Sequence, residues 1–412
     1  MNYSVKYIFL MLGFVVSFSF SKAQTTTVPI RVLDSLEMGF EIDIQSASTI
    51  NNAMLNASGF LSQELKDENL SRLGNYNQGG AYTNTKLFYR NKRKSLWGID
   101  RLSYYFALEW KSLNEYQFTK DLYQLVLYGN KSFIDAEADL AYSGALRIDY
   151  LQIKGGLYRS SKNEHHFFGF NLGLNIGSKL LAYKFYDPSY IFTSPFGNEI
   201  VFQSNVDYME SDTSMQAWYN VSGLGAALDF YYIYTEKNHY SFAVSIENVG
   251  FINWNKSSLR FTENKKHSYK GIEVDNIFDA SSSIVSTNDT VNSYIYSNTV
   301  EGSDYTFTPV DVKMRFEQFF YQKKIKLGFL THFRLISYMR PIIQLDASYK
   351  IKEILQIGPI LSYGGYTKFN AGLKLQFNFN NYQIKLESRY LTGFAQHSFS
   401  GMGGFINFTY KI

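Results

Sequence analysis

Apolar and charged side chains alternate along successive strand-length segments in the second half of this sequence. From residue 305 onward, apolar side chains occupy every second position of each segment, and charged or amide side chains fill many of the positions between them. Successive side chains of a β-strand point to opposite faces of the sheet, so each segment has one apolar and one polar face. The polar faces are too charged for the core of a soluble β-sandwich, which is the alternative fold, and the apolar faces are too continuous to face water. The pattern therefore predicts an all-β, antiparallel transmembrane barrel with an apolar exterior and a polar interior.

The C-terminal segment, residues 404–412, alternates in the same way. One face carries Ile406, Phe408, Tyr410 and Ile412, and the other carries Asn407, Thr409 and Lys411. An alternating strand that ends on a bulky apolar residue is typical of the closing strand of a bacterial outer-membrane barrel. We therefore expect the barrel assembly machinery to recognise this strand.

The N-terminus has the features of a secretory signal peptide. Lys6 supplies a positive charge, residues 7–20 are apolar with only two serines, and Ser21-Lys22-Ala23 forms a small-x-small cleavage site. The apolar stretch is shorter than the ~20 residues of a spanning helix, although a membrane anchor is the alternative. We divide the chain into a signal peptide, residues 1–23, and a barrel, residues 24–412. We expect the barrel to lie among the lipids of the outer membrane of a Gram-negative bacterium.

Composition supports this division. The 412 residues include 34 Tyr and 35 Phe, but only 18% of the residues are charged. After the signal peptide, no apolar run is long enough for a spanning helix, and a closed barrel is the other structure that crosses a bilayer. The absence of cysteine excludes disulfides, thiolate metal sites and a cysteine-linked lipid anchor. A net charge of +4 without a basic stripe argues against a nucleic-acid partner.

The alternation predicts about 14 strands, give or take about two. An even number is expected for a single-chain bacterial barrel. Residues 58–73 and 120–128 have helical spacing instead, and we interpret them as plug segments in the lumen or as surface loops. Residues 256–304 are polar with little periodicity, so we predict a long loop, outside the cell.

The order of four motifs resembles a known family. They are residues 121–130 (DLYQLVLYGN), 223–230 (GLGAALDF), 245–254 (SIENVGFINW) and 269–272 (YKGI). In this order and with these gaps they resemble an uncharacterised Bacteroidota family of predicted outer-membrane barrels, catalogued as a domain of unknown function. The resemblance implies a barrel but no substrate and no catalytic residue. The layout is more distantly similar to barrels of the long-chain fatty-acid transporter type, and to barrel partners of type IX secretion and gliding machines.

Two functions follow from these observations. The first is a channel or transporter for a small or hydrophobic solute, with six candidate lumen-lining residues: Lys313, Arg315, Lys326, Arg334, Lys374 and Lys385. The second is a non-transporting partner in an envelope machine, such as a type IX secretion, gliding or assembly complex. Mixed charges in the lumen fit both functions, since such charges also pair to close a barrel.

The sequence predicts neither an enzyme nor a cofactor. His239-Tyr240-Ser241 and His397-Ser398 are the nearest approaches to the Ser–His pair of outer-membrane phospholipases, and short combinations of this kind arise easily by chance. His165-His166 is an isolated pair, and adjacent side chains of a strand point apart, so we predict no metal site there.

Overall fold

A computed structural model describes residues 37–50, 61–92, 95–96, 98–212, 220–236, 239–270, 298–391 and 401–411. These residues form a closed antiparallel barrel of 14 strands. The wall strands, numbered β1 to β14 in chain order, are Glu37–Ser48, Tyr76–Lys92, Leu102–Thr119, Gly144–Ser160, His166–Phe185, Gly223–Glu236, Tyr240–Trp254, Val310–Phe320, Ile325–Leu335, Arg340–Lys350, Leu355–Gly365, Phe369–Asn378, Tyr382–Ser388 and Gly401–Lys411.

Every wall strand pairs with its neighbours in the chain, and the last strand returns to the first. The β1–β14 ladder runs from Glu37 opposite Lys411 to Ala47 opposite Gly401. The barrel fold and the predicted strand number are therefore confirmed, and the soluble sandwich is wrong. Ile412, the last residue of the predicted closing strand, lies outside the described residues, as does the predicted signal peptide.

The two faces of the wall invert the usual distribution of side chains in a protein. Outward-facing Leu172 and Leu345 are 60% and 57% exposed, whereas inward-facing Glu109, Lys154 and Asp229 are at most 4% exposed. Soluble proteins bury apolar side chains and leave charged ones in water. This wall therefore has the exterior of a lipid-facing surface, and its interior combines buried charges with apolar clusters such as that of Leu113, Ile148 and Leu180.

The two ends of the barrel differ. The described connections 161–165, 321–324, 351–354 and 379–381 are tight and lie at one end, where β1 and β14 also have their outer ends. The wall strands that flank the longest intervals of the chain, between β1 and β2, β3 and β4, β5 and β6, and β7 and β8, face each other at the opposite end. We call these the short-turn end and the long-loop end.

Additional elements extend the long-loop end. They are helix α1 (Gln63–Arg72), helix α2 (Lys120–Tyr128), a 3₁₀ turn (Asn130–Phe133) and the strands Ala136–Asp139, Tyr190–Thr193, Ile200–Glu210, Leu259–Tyr269, Val300–Glu301 and Tyr305–Phe307. A two-residue ladder, Ser95–Leu96 with Ile99–Asp100, lies at the short-turn end. Within the described residues, neither helix is long and apolar enough to cross a bilayer.

The segment predicted as a long polar loop, residues 256–304, is only partly a loop. Leu259–Tyr269 is a strand that pairs along its whole length with Ile200–Glu210. Its sequence, LRFTENKKHSY, gives no alternation of the membrane type because the strand lies beyond the wall and has no lipid-facing side. Residues 271–297 of this segment lie outside the described residues.

The two helices pack on the outside of the wall. Their side chains form an apolar cluster with Tyr116, Phe118 and Ala145. The β3 register is continuous, so Tyr116 and Phe118 share a face with outward-facing Phe106. Ser62 and Thr119 cap the helix N-termini through their side-chain oxygens. The helices therefore cover the outer face of the wall above its apolar band and do not fill the lumen.

Candidate functional site

The six cations predicted from the sequence all lie on the inward face of the wall. Lys313, Arg315, Arg334 and Lys374 are buried, whereas Lys326 and Lys385 are half-buried. They do not form one row. Five of them belong to two separate groups of ion pairs, and Lys385 lies on β13 opposite Asn407.

The first group is centred on Asp311 of β8. Its carboxylate accepts hydrogen bonds from Arg334 Nε at 2.8 Å and contacts His332 Nε2 at 2.6 Å. Lys313, two residues along the same strand, pairs with Glu247 at 3.2 Å. Two cations and two carboxylates thus balance one another around a buried imidazole.

The second group is centred on Asp346 of β10. Arg315 Nη2 lies 3.0 Å from this carboxylate, and Lys374 also pairs with it. Glu317 accepts from Arg315 at 2.8 Å and pairs with Lys326 at 3.0 Å. Buried charges are tolerated only when they are paired in this way, since each charge loses its hydration.

A third group, on strands β3 to β7, was not predicted. Lys154 Nζ lies 2.7 Å from Asp229 and 3.5 Å from Glu109, and Lys111 lies 3.0 Å from Glu109. Asn248 joins the group because its side-chain oxygen accepts from Lys111 at 2.5 Å, and its backbone N–H donates to Asp229 at 2.8 Å. The only sequence signal was a set of isolated charges in strands with weak alternation.

Asn248 occupies a strained position at the centre of this third group. The β6–β7 register shifts between Leu228 and Phe230, and Asn248 has a φ of 66°. Asparagine tolerates the left-handed region better than most residues, and its short side chain can hydrogen-bond locally. The bulge therefore turns an amide toward two buried lysines at the level of the ion pairs.

One contact joins opposite walls of the barrel. The Arg334 guanidinium of β9 lies 4.3 Å from the centre of the Tyr82 ring of β2, seven strands away around the ring. A circular ring of this many strands, about 4.8 Å apart and tilted by about 40°, would be roughly 28 Å across. An arginine and a tyrosine cannot span that width, so the two walls approach each other here. We call this contact the constriction.

A small cavity adjoins the constriction, with a volume of ≈ 40 Å³ for the centres of water-sized molecules. This volume holds about three water molecules. In the described part of the chain, every side chain that lines the cavity carries a polar atom. The lining residues are Glu41, Asp43, Tyr82, Asn84, Lys86, Arg90, Tyr105, Glu109, Lys111, Tyr158, Tyr231, Glu247, Asn248, Asp311, Lys313 and Arg334.

Above the cavity, turns from one wall reach across the lumen to Glu115 on the other. The fully buried Glu115 carboxylate of β3 accepts from Ser337 Oγ at 2.6 Å, from the Tyr338 N–H at 2.9 Å and from the Tyr366 hydroxyl. Ser337 and Tyr338 belong to the β9–β10 turn, six to seven strands away from β3. We call Glu115, Ser337, Tyr338 and Tyr366 the cap.

Further polar contacts hold the same turns in place. Gln78 Nε2 donates to the Gly365 carbonyl at 2.6 Å, and Gln45 Nε2 donates to the Tyr390 hydroxyl at 2.6 Å. Burial, together with the adjacent Glu115 carboxylate, raises the pKa of Tyr366 well above its usual range, so its hydroxyl keeps the proton that it donates. The cap turns thus cross the lumen at the long-loop end, held by these hydrogen bonds and by a buried apolar cluster of Ala47, Met339, Ile342, Tyr366 and Tyr390.

The motifs considered for catalysis or metal binding do not converge in the described residues. His165 Nδ1 contacts the Thr235 carbonyl at 2.8 Å, whereas His166 Nδ1 contacts the Tyr232 hydroxyl at 3.0 Å. His239 is exposed at a turn, while Ser241 is fully buried. In these ranges no three His, Cys, Asp or Glu side chains are placed to share a metal ion. The His397-Ser398 motif lies outside the described residues.

Comparisons place the chain in a family without an assigned function. The model of DUF5723, described as a family of unknown function, matches residues 20–387. This confirms that the chain belongs to a family of unknown function, as the motifs indicated. No curated protein matches the chain.

Several solved structures are similar to this chain at very low sequence identity. The chain is similar to the Ralstonia pickettii toluene transporter TbuX (7% identity, 92% of this chain and 90% of that chain covered, TM-score 0.46). It is also similar to the Pseudomonas putida toluene transporter TodX (8% identity, 94% of this chain and 93% of that chain covered, TM-score 0.42). A Pseudomonas aeruginosa FadL homologue is similar as well (9% identity, 92% of this chain and 91% of that chain covered, TM-score 0.42). These likenesses are too distant to assign a function.

Proposed function

The chain belongs to the family of unknown function DUF5723, and we propose that it is an outer-membrane barrel that works as a gated channel or transporter. One observation carries this proposal: the lumen is closed by a cap whose turns are hydrogen-bonded to a single carboxylate, Glu115. The hydrogen bonds of this cap can open in water, because each donor and acceptor then finds a water partner.

The outer surface supports the membrane location. Exposed apolar side chains continue around the wall, and paired aromatic rings lie at several places near the short-turn end, including Phe40 with Phe408, Tyr382 with Tyr410, and Phe168 with Tyr232. Aromatic side chains concentrate where a membrane meets water. In bacterial outer-membrane barrels the short turns face the periplasm, so the long-loop end faces outward in this proposal. The Gram-negative host, and the Bacteroidota source indicated by the motifs, belong to the same proposal.

The charged side chains inside the barrel support a path for solutes. An eight-stranded barrel is just wide enough to be filled by side chains, whereas 16–18 strands leave an aqueous channel. This 14-stranded barrel lies between these sizes, and its interior holds charged side chains whose burial is costly. Apolar side chains would fill the same space more stably. In the proposed path, the six inward cations, Lys313, Arg315, Lys326, Arg334, Lys374 and Lys385, line the route below the cap.

Conductance of the purified full-length chain in planar bilayers tests the function. We expect rare openings to a discrete level, because the resting state is capped. A bilayer that contains correctly folded barrel but never conducts, under any applied voltage, would contradict the proposal. Heat-modifiable migration in gels shows in parallel that the inserted protein is folded.

A structural role in an envelope machine is the second candidate. The strands Ile200–Glu210 and Leu259–Tyr269 form a ladder of 11 residue pairs beyond the wall, a surface suited to another protein. Purification from native membranes in mild detergent, followed by mass spectrometry, separates the two. Stoichiometric envelope proteins that persist with a non-conducting barrel would favour this role. In either function, β14 is the strand that we expect the barrel assembly machinery to recognise.

A further inference from the structure

A lysine, an asparagine and a glutamate meet at the centre of the third group of ion pairs. Lys111 Nζ lies 2.5 Å from the side-chain oxygen of Asn248 and 3.0 Å from the Glu109 carboxylate. All three side chains are at most 4% exposed, and all three line the small cavity beside the constriction. An amine, an amide and a carboxylate able to accept a proton are therefore held in contact away from bulk water.

A second lysine contacts the same amide. Lys154 Nζ donates to Asn248 Oδ1 at 3.4 Å, and its ammonium group is held by Asp229 at 2.7 Å. A fixed positive charge beside a carbonyl oxygen polarises the carbonyl group and stabilises the negative charge that the oxygen gains when the carbon is attacked. Lys154 is therefore placed to activate the Asn248 amide toward Lys111.

The backbone fixes the amide in this position. Asn248 lies at the bulge with a φ of 66°, and its N–H donates to Asp229 at 2.8 Å. Backbone strain of this kind concentrates at functional sites. Reacting groups held in contact reach effective concentrations of about 10⁵–10⁸ M, which can make a reaction proceed that is negligible between free molecules.

From this arrangement we infer that Lys111 and Asn248 are joined by an intramolecular isopeptide bond, which the folded barrel forms by itself. Glu109 takes a proton from the Lys111 ammonium group, and the neutral Nζ attacks Cγ of Asn248. The Nζ–Cγ bond forms, and the bond between Cγ and Nδ2 of Asn248 breaks. Glu109 passes the two protons that Nζ loses to Nδ2, which leaves as ammonium into the polar cavity.

The bond is compatible with the charges around it. Lys111 becomes a neutral amide, while Glu109 remains paired with Lys154 at 3.5 Å and with Lys86 at 3.9 Å, so its buried carboxylate is not left alone. The link joins β3 to β7, across four strands and 137 positions of the sequence. It would fix the curvature of this wall beside the cavity, whether or not the barrel conducts.

Peptide mapping of the folded chain, purified from outer membranes in detergent, tests the inference. Trypsin does not cleave after a modified Lys111, so we expect a branched peptide in which residues 102–120 are joined to residues 238–256. Its mass should be one ammonia below the sum of the two peptides. The intact chain loses the same mass, but cyclisation of an N-terminal Gln24 has an equal effect, so the branched peptide is the deciding signal.

Three variants and the unfolded chain define how the bond forms. Lys111→Arg keeps the positive charge without the nucleophilic amine, and Glu109→Gln removes the proton acceptor, so both should lose the branched peptide. Lys86→Arg is the matched control, since Lys86 also pairs with Glu109, and it should retain the branched peptide. Chain recovered from inclusion bodies in urea should give linear peptides, and should gain the branch after it folds in detergent.

The contrary results are equally specific. Linear peptides alone from the folded wild-type chain would overturn the inference and leave an ordinary buried ion pair. A branch onto Gln152, whose side-chain oxygen also lies 3.0 Å from Lys111 Nζ, would contradict the assignment to Asn248. A branch that persists in Lys111→Arg, or that is complete before the chain folds, would show that this site does not form it.

Discussion

Replacing Glu115 with glutamine removes the negative charge at the centre of the cap and nearly preserves the volume of the side chain. Three donors converge on this carboxylate: the Ser337 hydroxyl at 2.6 Å, the Tyr338 N–H at 2.9 Å and the Tyr366 hydroxyl. Glutamine offers one acceptor oxygen, and its NH₂ group points a further donor at these donors. The variant therefore weakens these three contacts across the lumen and leaves the wall unchanged.

The expected magnitude follows from hydrogen-bond energies. A hydrogen bond to a charged group contributes roughly 1.5–3 kcal/mol and a neutral one roughly 0.5–1.5 kcal/mol, so three weakened bonds lose about 3 kcal/mol in total. Relief of the buried charge opposes this loss, and we take about 2 kcal/mol as the net effect on the cap. Since 1.36 kcal/mol corresponds to a tenfold change, Glu115→Gln should open the cap roughly 30-fold more often.

Open probability in planar bilayers measures this effect directly. The control is Glu137→Gln, an exposed glutamate at the same end of the barrel, which should behave as wild type. Both variants should migrate as folded barrels in unheated gels. If Glu115→Gln folds normally and opens no more often than Glu137→Gln, the cap does not limit passage through the lumen.

Three further predictions concern other parts of the barrel. Tyr82→Leu removes the stacking with Arg334 across the constriction, which contributes about 0.5–2 kcal/mol. Introduced together with Glu115→Gln, it should raise the unit conductance. An unchanged unit conductance would place the narrowest point of the lumen elsewhere. Asn248, at a φ of 66°, should tolerate glycine better than alanine by roughly 1 kcal/mol in urea unfolding, because only glycine enters this region freely; equal losses would refute the strain argument. Leu345→Arg should destabilise the barrel in lipid by about 2–4 kcal/mol, well beyond the effect of Leu345→Ala. The reason is that this side chain faces outward and is 57% exposed. Similar effects of the two variants would mean that this face is not in lipid.

The wall was predictable because its signal is local. Alternation along a single strand depends only on which face each side chain takes, and it is independent of the partner strand. The second half of the chain keeps this alternation without interruption, from β8 to the closing strand. Where strands extend beyond the apolar band, as Leu259–Tyr269 does, their outer side chains are no longer apolar and the alternation of apolar and polar residues disappears. The sequence therefore predicts a loop where the structure has a strand.

The interior was less predictable because its contacts join distant parts of the chain. Glu115 and Tyr338 are 223 positions apart, and neither carries a local signal for a cap. Lys154 of β4 meets Asp229 of β6 only after the strands have curved into a wall. The bulge at Asn248, which brings its amide to Lys111 and Lys154, interrupts the alternation. The sequence identified charged inward faces, but not which charges meet or that opposite walls touch.

Cysteine accessibility can show whether the cap closes a water-accessible lumen at the long-loop end. The chain contains no cysteine, so Tyr82→Cys, which also removes the ring at the constriction, places a single thiol on the cavity wall directly below the cap. A membrane-impermeant, water-soluble maleimide is added from the long-loop side to this variant alone and to the same variant with Glu115→Gln. We expect slow labelling with the intact cap and labelling roughly 30-fold faster with the weakened cap, in proportion to the cap free energy. Equal labelling rates in the two backgrounds would contradict it.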